Sequence, residues 1–325
     1  MPDSPRSDAS QPQARPQRPK AAKPRTAAAV TSATAAAAEL HEPILSWYDA
    51  NARVLPWREP DAGAWAVMVS EFMLQQTPVV RVLPVYAIWM DRWPTPKALA
   101  AEPPGEAVRA WGRLGYPRRA LRLHAAARAI TDNHGGEVPN DHADLLALPG
   151  VGTYTAAAIA SFAFGQRHAV VDTNVRRVFA RALGGDAQPS ISPTAADLRR
   201  AEQAMPLDAA TAAKWAVATM ELGALICTAR TPKCGHCPIV ERCAWTLAGR
   251  PAYDGPPRKG QTYDGTDRQA RGRLLAVLRD SAGPVGKARL DRAWPDVAQR
   301  ERALDGLVAD GLVEPLARSR FRLPI

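Results

Sequence analysis

Residues Leu145 to Val178 read LLALPGVGTYTAAAIASFAFGQRHAVVDTNVRRV. The stretch holds the end of one helix, a Pro149-Gly150-Val151-Gly152 turn, a second helix, and then Asp172 followed by Thr173, Asn174 and Arg176. Gly150 and Gly152 permit the positive φ and close backbone approach that a tight turn between helices demands. Beyond them Ala156, Ile159, Ala160 and Ala163 recur at helical spacing. The N–H groups that open such a helix lack intrahelical partners and attract anions, phosphate included. A plain helical pair also uses a Gly-x-Gly turn, so the meaning of this one depends on the remaining motifs.

The chain of 325 residues can hold a core of about 200 residues and something smaller. Its net charge of +10 and pI near 9.8 suit a polyanionic partner, although Arg outnumbers Lys and Ala is abundant, so compositional bias contributes to the basicity. No run of roughly 18 apolar residues occurs, and the N-terminus lacks a continuous apolar signal region. The expectation is an intracellular protein, cytoplasmic and nucleoid-associated, with no membrane partner. Residues 1–38 are Pro, Ala, Ser, Gln and Arg with no large apolar side chain beyond Met1 and Val30. Such a segment buries too little to offset its ordering entropy, and it is expected to be a disordered basic tail, either merely solvated or a loose DNA-sliding arm.

Order is expected from about residue 39, where Leu40, Ile44, Leu45, Trp47 and Tyr48 predict a helix ahead of Leu55-Pro56-Trp57-Arg58. Trp65, Met68, Val69, Phe72 and Met73 then mark an apolar stripe. Within it, Ser70-Glu71-Phe72-Met73-Leu74-Gln75-Gln76-Thr77-Pro78 sets a carboxylate beside buried positions. Desolvation raises the pKa of such a Glu, as a general acid near neutral pH requires; the alternative is an exposed surface carboxylate. Helical patterning continues over Leu99 to Trp111, and from Arg118 to Ile130 after the glycine-bearing basic loop Gly112–Tyr116. Two more helices are expected between Leu198 and Leu225. No convincing strand alternation precedes the C-terminal region, so the body is predicted to be all-α.

All four cysteines, Cys227, Cys234, Cys237 and Cys243, fall in one window with the spacing C-x6-C-x2-C-x5-C. In a chain without a secretory signal this argues for a metal centre rather than disulfides. Only Cys234 and Cys237 form a close pair, which favours a [4Fe–4S] cluster over a zinc site with two knuckles. The loop is read as structural or DNA-facing rather than catalytic.

LPGVGTYTA, VVDTNVRRV, SEFMLQQTPV and the cysteine spacing, in this combination, resemble the helix-hairpin-helix DNA glycosylases with an iron–sulfur loop, over residues 41 to 248. The hairpin and cluster loop are shared with endonuclease III, whereas the SE-x-MLQQT segment looks most like the adenine-specific (MutY) branch. The resemblance implies a mainly α fold, a [4Fe–4S] cofactor, and a monomer acting in base excision repair on double-stranded DNA containing an adenine mispair. It implies that Glu71 protonates a flipped adenine and activates water, that Asp172 stabilises the oxocarbenium-like sugar, and that Asn174 stands in the same site. It further implies that Trp57 and Arg58 line the adenine pocket and that Gln75 and Gln76 probe the opposite guanine. Thr77, Gly150, Gly152 and Arg176 fall among the substrate- or DNA-binding positions. At Tyr154 bifunctional relatives carry a Lys whose amine forms a Schiff base, so base removal without strand cleavage is expected. Thymine-mismatch glycosylases share a Tyr at this position and the Asp, and form the enzymatic alternative. A non-enzymatic iron–sulfur DNA-binding regulator and a zinc-stabilised adaptor are the others.

Two features depart from the resemblance. The loop Gly112-Arg113-Leu114-Gly115-Tyr116-Pro117-Arg118 replaces a more usual Gly-Leu-Gly-Tyr-Tyr, and the C-terminus is too short for the MutT-like domain common in that branch. Residues 249–267, rich in Pro and Gly, read as a linker. Residues 268–325 then predict helices at Arg268–Arg279, after Gly286 and at Asp296–Asp310, followed by short strands flanking Arg318-Ser319-Arg320. This is a winged-helix-like pattern with a basic hairpin suited to phosphate.

Overall fold

The computed structural model describes residues 34–256, 260 and 262–325. The expected basic tail lies outside the described residues as far as residue 33. Residues 34–38 are helical and Ala37 is buried beside Leu40 and Ile44, so order begins ahead of the boundary expected at residue 38. In the linker, residues 257–259 and 261 also lie outside the described set.

In chain order the body comprises α1 (His41–Asn51), α2 (Gly63–Leu74), α3 (Val79–Arg92), α4 (Pro96–Ala100), α5 (Pro104–Trp111), α6 (Arg118–Asn133), α7 (His142–Ala147), α8 (Thr153–Phe164), α9 (Thr173–Ala182), α10 (Ala195–Ala204), α11 (Ala209–Leu225) and α12 (Ala244–Leu247). The single helix expected from Leu99 to Trp111 is two. Pro103 and Pro104 remove consecutive backbone donors, so α4 stops and α5 starts with Pro104 in its first turn, where a missing N–H costs nothing.

One lobe, α2 to α8, closes around Trp89, against which Trp93 and Trp111 stack edge to face at 4.8 and 5.5 Å. The other packs α1, α9, α10 and α11 around Trp215, Phe179 and Leu222. Between α7 and α8, Gly150 takes φ +79°, and a Cβ there would stand 2.6 Å from the Cβ of Arg122 on α6. The turn therefore requires glycine on both conformational and steric grounds.

The C-terminal unit consists of α13 (Asp267–Arg279), β1 (Val285–Gly286), α14 (Lys287–Asp291), α15 (Val297–Ala309), β2 (Glu314–Leu316) and β3 (Arg320–Arg322). Its antiparallel sheet runs β1-β3-β2, with Phe321 opposite both Val285 and Pro315, an arrangement like that of a winged helix. β1 escapes the sequence reading because two residues cannot display an alternation. The unit is seated on α5. Arg109 donates to the carbonyls of Arg279 and Ser281, Arg279 donates to the Gly112 carbonyl, and the Gly105 N–H meets the Pro324 carbonyl at 2.8 Å. Leu274, Leu278 and Leu323 continue the core of the first lobe across this junction. No helix among the described residues is long and apolar enough to cross a membrane.

A Cβ on Gly105 would lie 2.4 Å from the Pro324 carbonyl oxygen and 2.8 Å from Leu323 Cβ. Gly105→Ala should therefore destabilise the seated unit by about 1–3 kcal/mol, the usual cost of overpacking. Calorimetry should show a lowered or separate melting transition; a superimposable thermogram would contradict the contact.

Candidate active site and cluster loop

Helix α2 is buried along Trp65–Met73, and this explains the state of Glu71. Its carboxyl is 5% exposed, and burial pushes its pKa up to about 7. The Tyr154 hydroxyl, from the first turn of α8, donates a hydrogen bond to it and pulls the other way, as does Arg58, while the charge of Asp172 adds to the rise. Tyr154 is itself held well above its ordinary value by burial and by the two carboxylates, so it stays a neutral donor.

Asp172 caps α9. Its Oδ1 accepts from the Asn174 and Val175 N–H groups at 2.8 and 2.7 Å, and its Oδ2 from Asn174 Nδ2 at 2.7 Å. Burial raises its pKa, opposed by these three donors and by Arg177. Asn174 is fixed in turn: Arg177 donates to its Oδ1 at 2.8 Å, to the Gly223 carbonyl and to the Cys227 carbonyl. Gly223 is small by necessity, since a Cβ there would lie 2.9 Å from the Asn174 carbonyl oxygen.

Glu71, Tyr154, Asp172 and Asn174 line one cleft of about 970 Å³, and Trp57, Arg58, Gln75, Gln76, Thr77 and Arg176 line it too. Gly150 and Gly152 do not; they lie on the hairpin outside it. Trp57 is buried, edge to face with Tyr86 at 5.0 Å. Two of the expected contact residues are engaged within the protein. Arg176 pairs with Asp197 at 3.1 Å and donates to the carbonyls of Ser190 and Ser192, so it braces the loop ahead of α10 and is not free for a phosphate. Thr77 is buried, and its hydroxyl donates to the carbonyls of Gln75 in its own turn and Leu114 on the loop ahead of α6.

Three side chains that organise the cleft were not singled out from the sequence. Glu221, fully buried on α11, pairs with Arg53 at 2.7 Å and Arg58 at 3.0 Å. Burial would raise its pKa, but hydrogen bonds from Arg53 and Arg58 prevail and hold it at about 2. Its one sequence signal is a lone carboxylate in the apolar run TrpAlaValAlaThrMetGluLeu. Arg119 is buried and donates to the carbonyls of Phe72, Gln75 and Gly115, at 2.8, 2.6 and 3.1 Å. It closes the C-terminal end of α2, whose last carbonyls have no intrahelical donors, and so fixes the turn bearing Gln75 and Gln76. Gln76 sits at φ +56°, a strained value for a residue with a side chain.

The four cysteines line one cavity with Arg181, Ile226 and Val240 among others. All four thiols face this one cavity, so a single group bound there is within reach of each. Arg181 donates to Cys227 Sγ at 3.3 Å, and burial pushes Cys237 up to about 11. Thiols held this way are costly to ionise without a metal and are stabilised by binding one.

Comparison with known proteins agrees with this geometry. The profile of the HhH-GPD superfamily base excision DNA repair proteins matches residues 69–203, and that of the iron–sulfur binding domain of endonuclease III matches 227–243. The curated adenine DNA glycosylase of Mycobacterium tuberculosis (strain CDC 1551 / Oshkosh) is 54% identical over 285 residues, 86% of this chain and 92% of its own. The chain belongs to the adenine DNA glycosylase family. A second family member, from Mycolicibacterium smegmatis, is 54% identical over 281 residues, covering 86% of this chain and 94% of its own. A solved structure of a thermostable thymine-DNA glycosylase superposes with TM-score 0.60 at 27% identity, covering 67% of this chain and 99% of that one. The chain carries a [4Fe–4S] cluster, and the matched segment 227–243 begins and ends on cysteine and contains all four cysteines of the chain, which fit as its ligands.

The raised pKa of Glu71 predicts a pH-dependent stability. A carboxyl moved from 4.5 to about 7 on folding contributes its full stability below pH 4.5 and loses it as pH rises through 7. Glu71→Gln should therefore match the native chain at pH 4 and exceed it by about 3 kcal/mol at pH 8. Urea unfolding at the two pH values measures the difference, and equal offsets at both would contradict a buried neutral Glu71.

Proposed function

We propose that this protein is a monofunctional DNA glycosylase of base excision repair, acting as a monomer on double-stranded DNA to remove adenine mispaired with 8-oxoguanine or guanine. The observation that carries this reading is a carboxyl poised near pH 7, Glu71, sharing one cleft with a second buried and hydrogen-bonded carboxylate, Asp172.

The two carboxyls divide the work of glycosidic cleavage. Adenine leaves poorly as an anion, so protonated Glu71 gives its proton to N7 while the C1′–N9 bond breaks and its electron pair goes to the base. The sugar is left cationic, and the ionised Asp172 stabilises it at close range in a dry site. Glu71, now a carboxylate, takes a proton from the water that adds to C1′. Tyr154 keeps Glu71 aimed by donating to it, and Asn174 fixes the Asp172 carboxylate. With tyrosine in place of lysine at 154, no amine forms a Schiff base there, so the strand stays intact after base loss.

Base flipping brings adenine within reach, at least cost when the pair is already mismatched. Trp57 supplies an apolar wall. Arg58 is held by Glu221, and its Nη1 is buried with no partner, an orphan donor suited to a purine acceptor. Gln75 and Gln76, fixed by Arg119, fit the space that the flipped base vacates and the face of the opposite guanine. The cluster tethers the loop after α11 and takes no part in these steps.

The test is single-turnover base release from duplexes carrying adenine opposite 8-oxoguanine, adenine opposite guanine, and thymine opposite guanine, scored with and without alkali. Adenine release with nicking only after alkali is expected. Thymine release would instead move the chain to the specificity named for the structurally similar thymine-DNA glycosylase. The rate should fall as pH rises through about 7, where Glu71 loses its proton. Glu71→Gln should abolish release while leaving duplex affinity within a few-fold, and retained turnover in that variant would remove Glu71 from the acid role.

A further inference from the structure

A second cleft, of about 960 Å³, lies between the helical body and α13 of the C-terminal unit. It is lined by nine arginines against one carboxylate, Asp310, which is held between Arg118 and Arg271. One wall is the Gly112–Arg119 loop with Arg122 of α6, and the other is α13. Arg113 and Arg122 on the first wall and Arg268 and Arg273 on the second are exposed. A concentration of like charge on two facing walls is costly in the free protein and draws in a polyanion.

The place of this cleft identifies the polyanion. Gln75 and Gln76 line both clefts, so the α2–α3 turn is a ridge with the catalytic carboxyls on one side and the arginines on the other. A duplex straddling the ridge places the strand that yields its base over Glu71 and Asp172, and the complementary strand over the arginines. The geometry points to the second cleft as the phosphate-binding site for the strand opposite the excised base, with α13 of the C-terminal unit as its outer wall. The hairpin arginines Arg318 and Arg320, expected from the sequence to meet phosphate, do not line it. The seating of the unit through Arg109 and Arg279 turns α13 toward the ridge, so the first helix of this winged-helix-like fold, rather than its wing, faces the DNA. The inference deepens the proposed function and rests on it only in taking duplex DNA as the ligand.

The test uses undamaged duplex and the corresponding single strand, with binding read as a function of salt for the full chain and for Arg268→Gln/Arg273→Gln. Each lost phosphate contact should reduce the magnitude of the log–log salt slope by about 0.9 for duplex. Duplex affinity should fall about tenfold or more at moderate salt, while affinity for the single strand stays within twofold. In a duplex with one adenine–guanine mispair, which fixes which strand yields its base, methylphosphonates on the strand opposite the adenine should weaken binding of the native chain but add little to the loss in the double variant. Arg113→Gln, on the facing wall and outside the C-terminal fold, should reproduce the duplex-selective loss even if the double variant folds poorly. Unchanged duplex slopes in both variants would overturn the site, and equal losses for duplex and single strand would overturn its assignment to the complementary strand. Because undamaged DNA and binding are used, a failed base-release assay leaves this result interpretable, and the reverse holds as well.

Discussion

A carboxyl group that must still carry a proton near neutral pH has to be kept from water, and the rest of the body follows from that demand. Glu71 achieves it by sitting on α2, a helix apolar on nearly every side, packed within the tryptophan-rich lobe against α8. The burial that raises Glu71 also raises Asp172, but there three hydrogen-bond donors at a helix N-terminus, with Arg177 behind them, oppose the rise. Two identical functional groups thus acquire different electrostatic environments from the number of donors around them rather than from their depth alone.

The arginines supply the rigidity. Arg119 ties the end of α2 to the Gly115 loop, Arg58 and Arg53 meet on Glu221, and Arg177 spans Asn174, the end of α11 and the cluster loop. Each is buried or half-buried and bonded largely to backbone carbonyls or to one carboxylate, where a planar guanidinium places several donors at fixed angles. A cleft made in this way changes little when a ligand enters, which suits chemistry that depends on electrostatics already in position.

Much of the fold, and the residues that meet in the cleft, were legible in the sequence because both are written in local patterns. The Gly150–Gly152 turn, the apolar stripe around Glu71, the four cysteines and the Asp172-Thr173-Asn174 cap each fit within a few residues. What stayed hidden depends on distance along the chain. Glu221 meets Arg53 across 168 residues, and Arg119 meets Phe72 across 47. Arg176 stands beside Asp172 in the sequence, yet its guanidinium is taken up by Asp197 and by the Ser190 and Ser192 carbonyls. The charge of α13 was visible, but not what it would face, because that follows from contacts made by Arg109 and Gly105, more than 150 residues earlier.

The seat of the C-terminal unit has a consequence for how the chain tolerates change. Its hold on α5 is made by side chains and by the meeting of Gly105 with Pro324, not by the connecting peptide. A flexible connection loses only about 0.6 kcal/mol for each doubling of its length. Added length between α12 and α13 should therefore leave the unit in its seat.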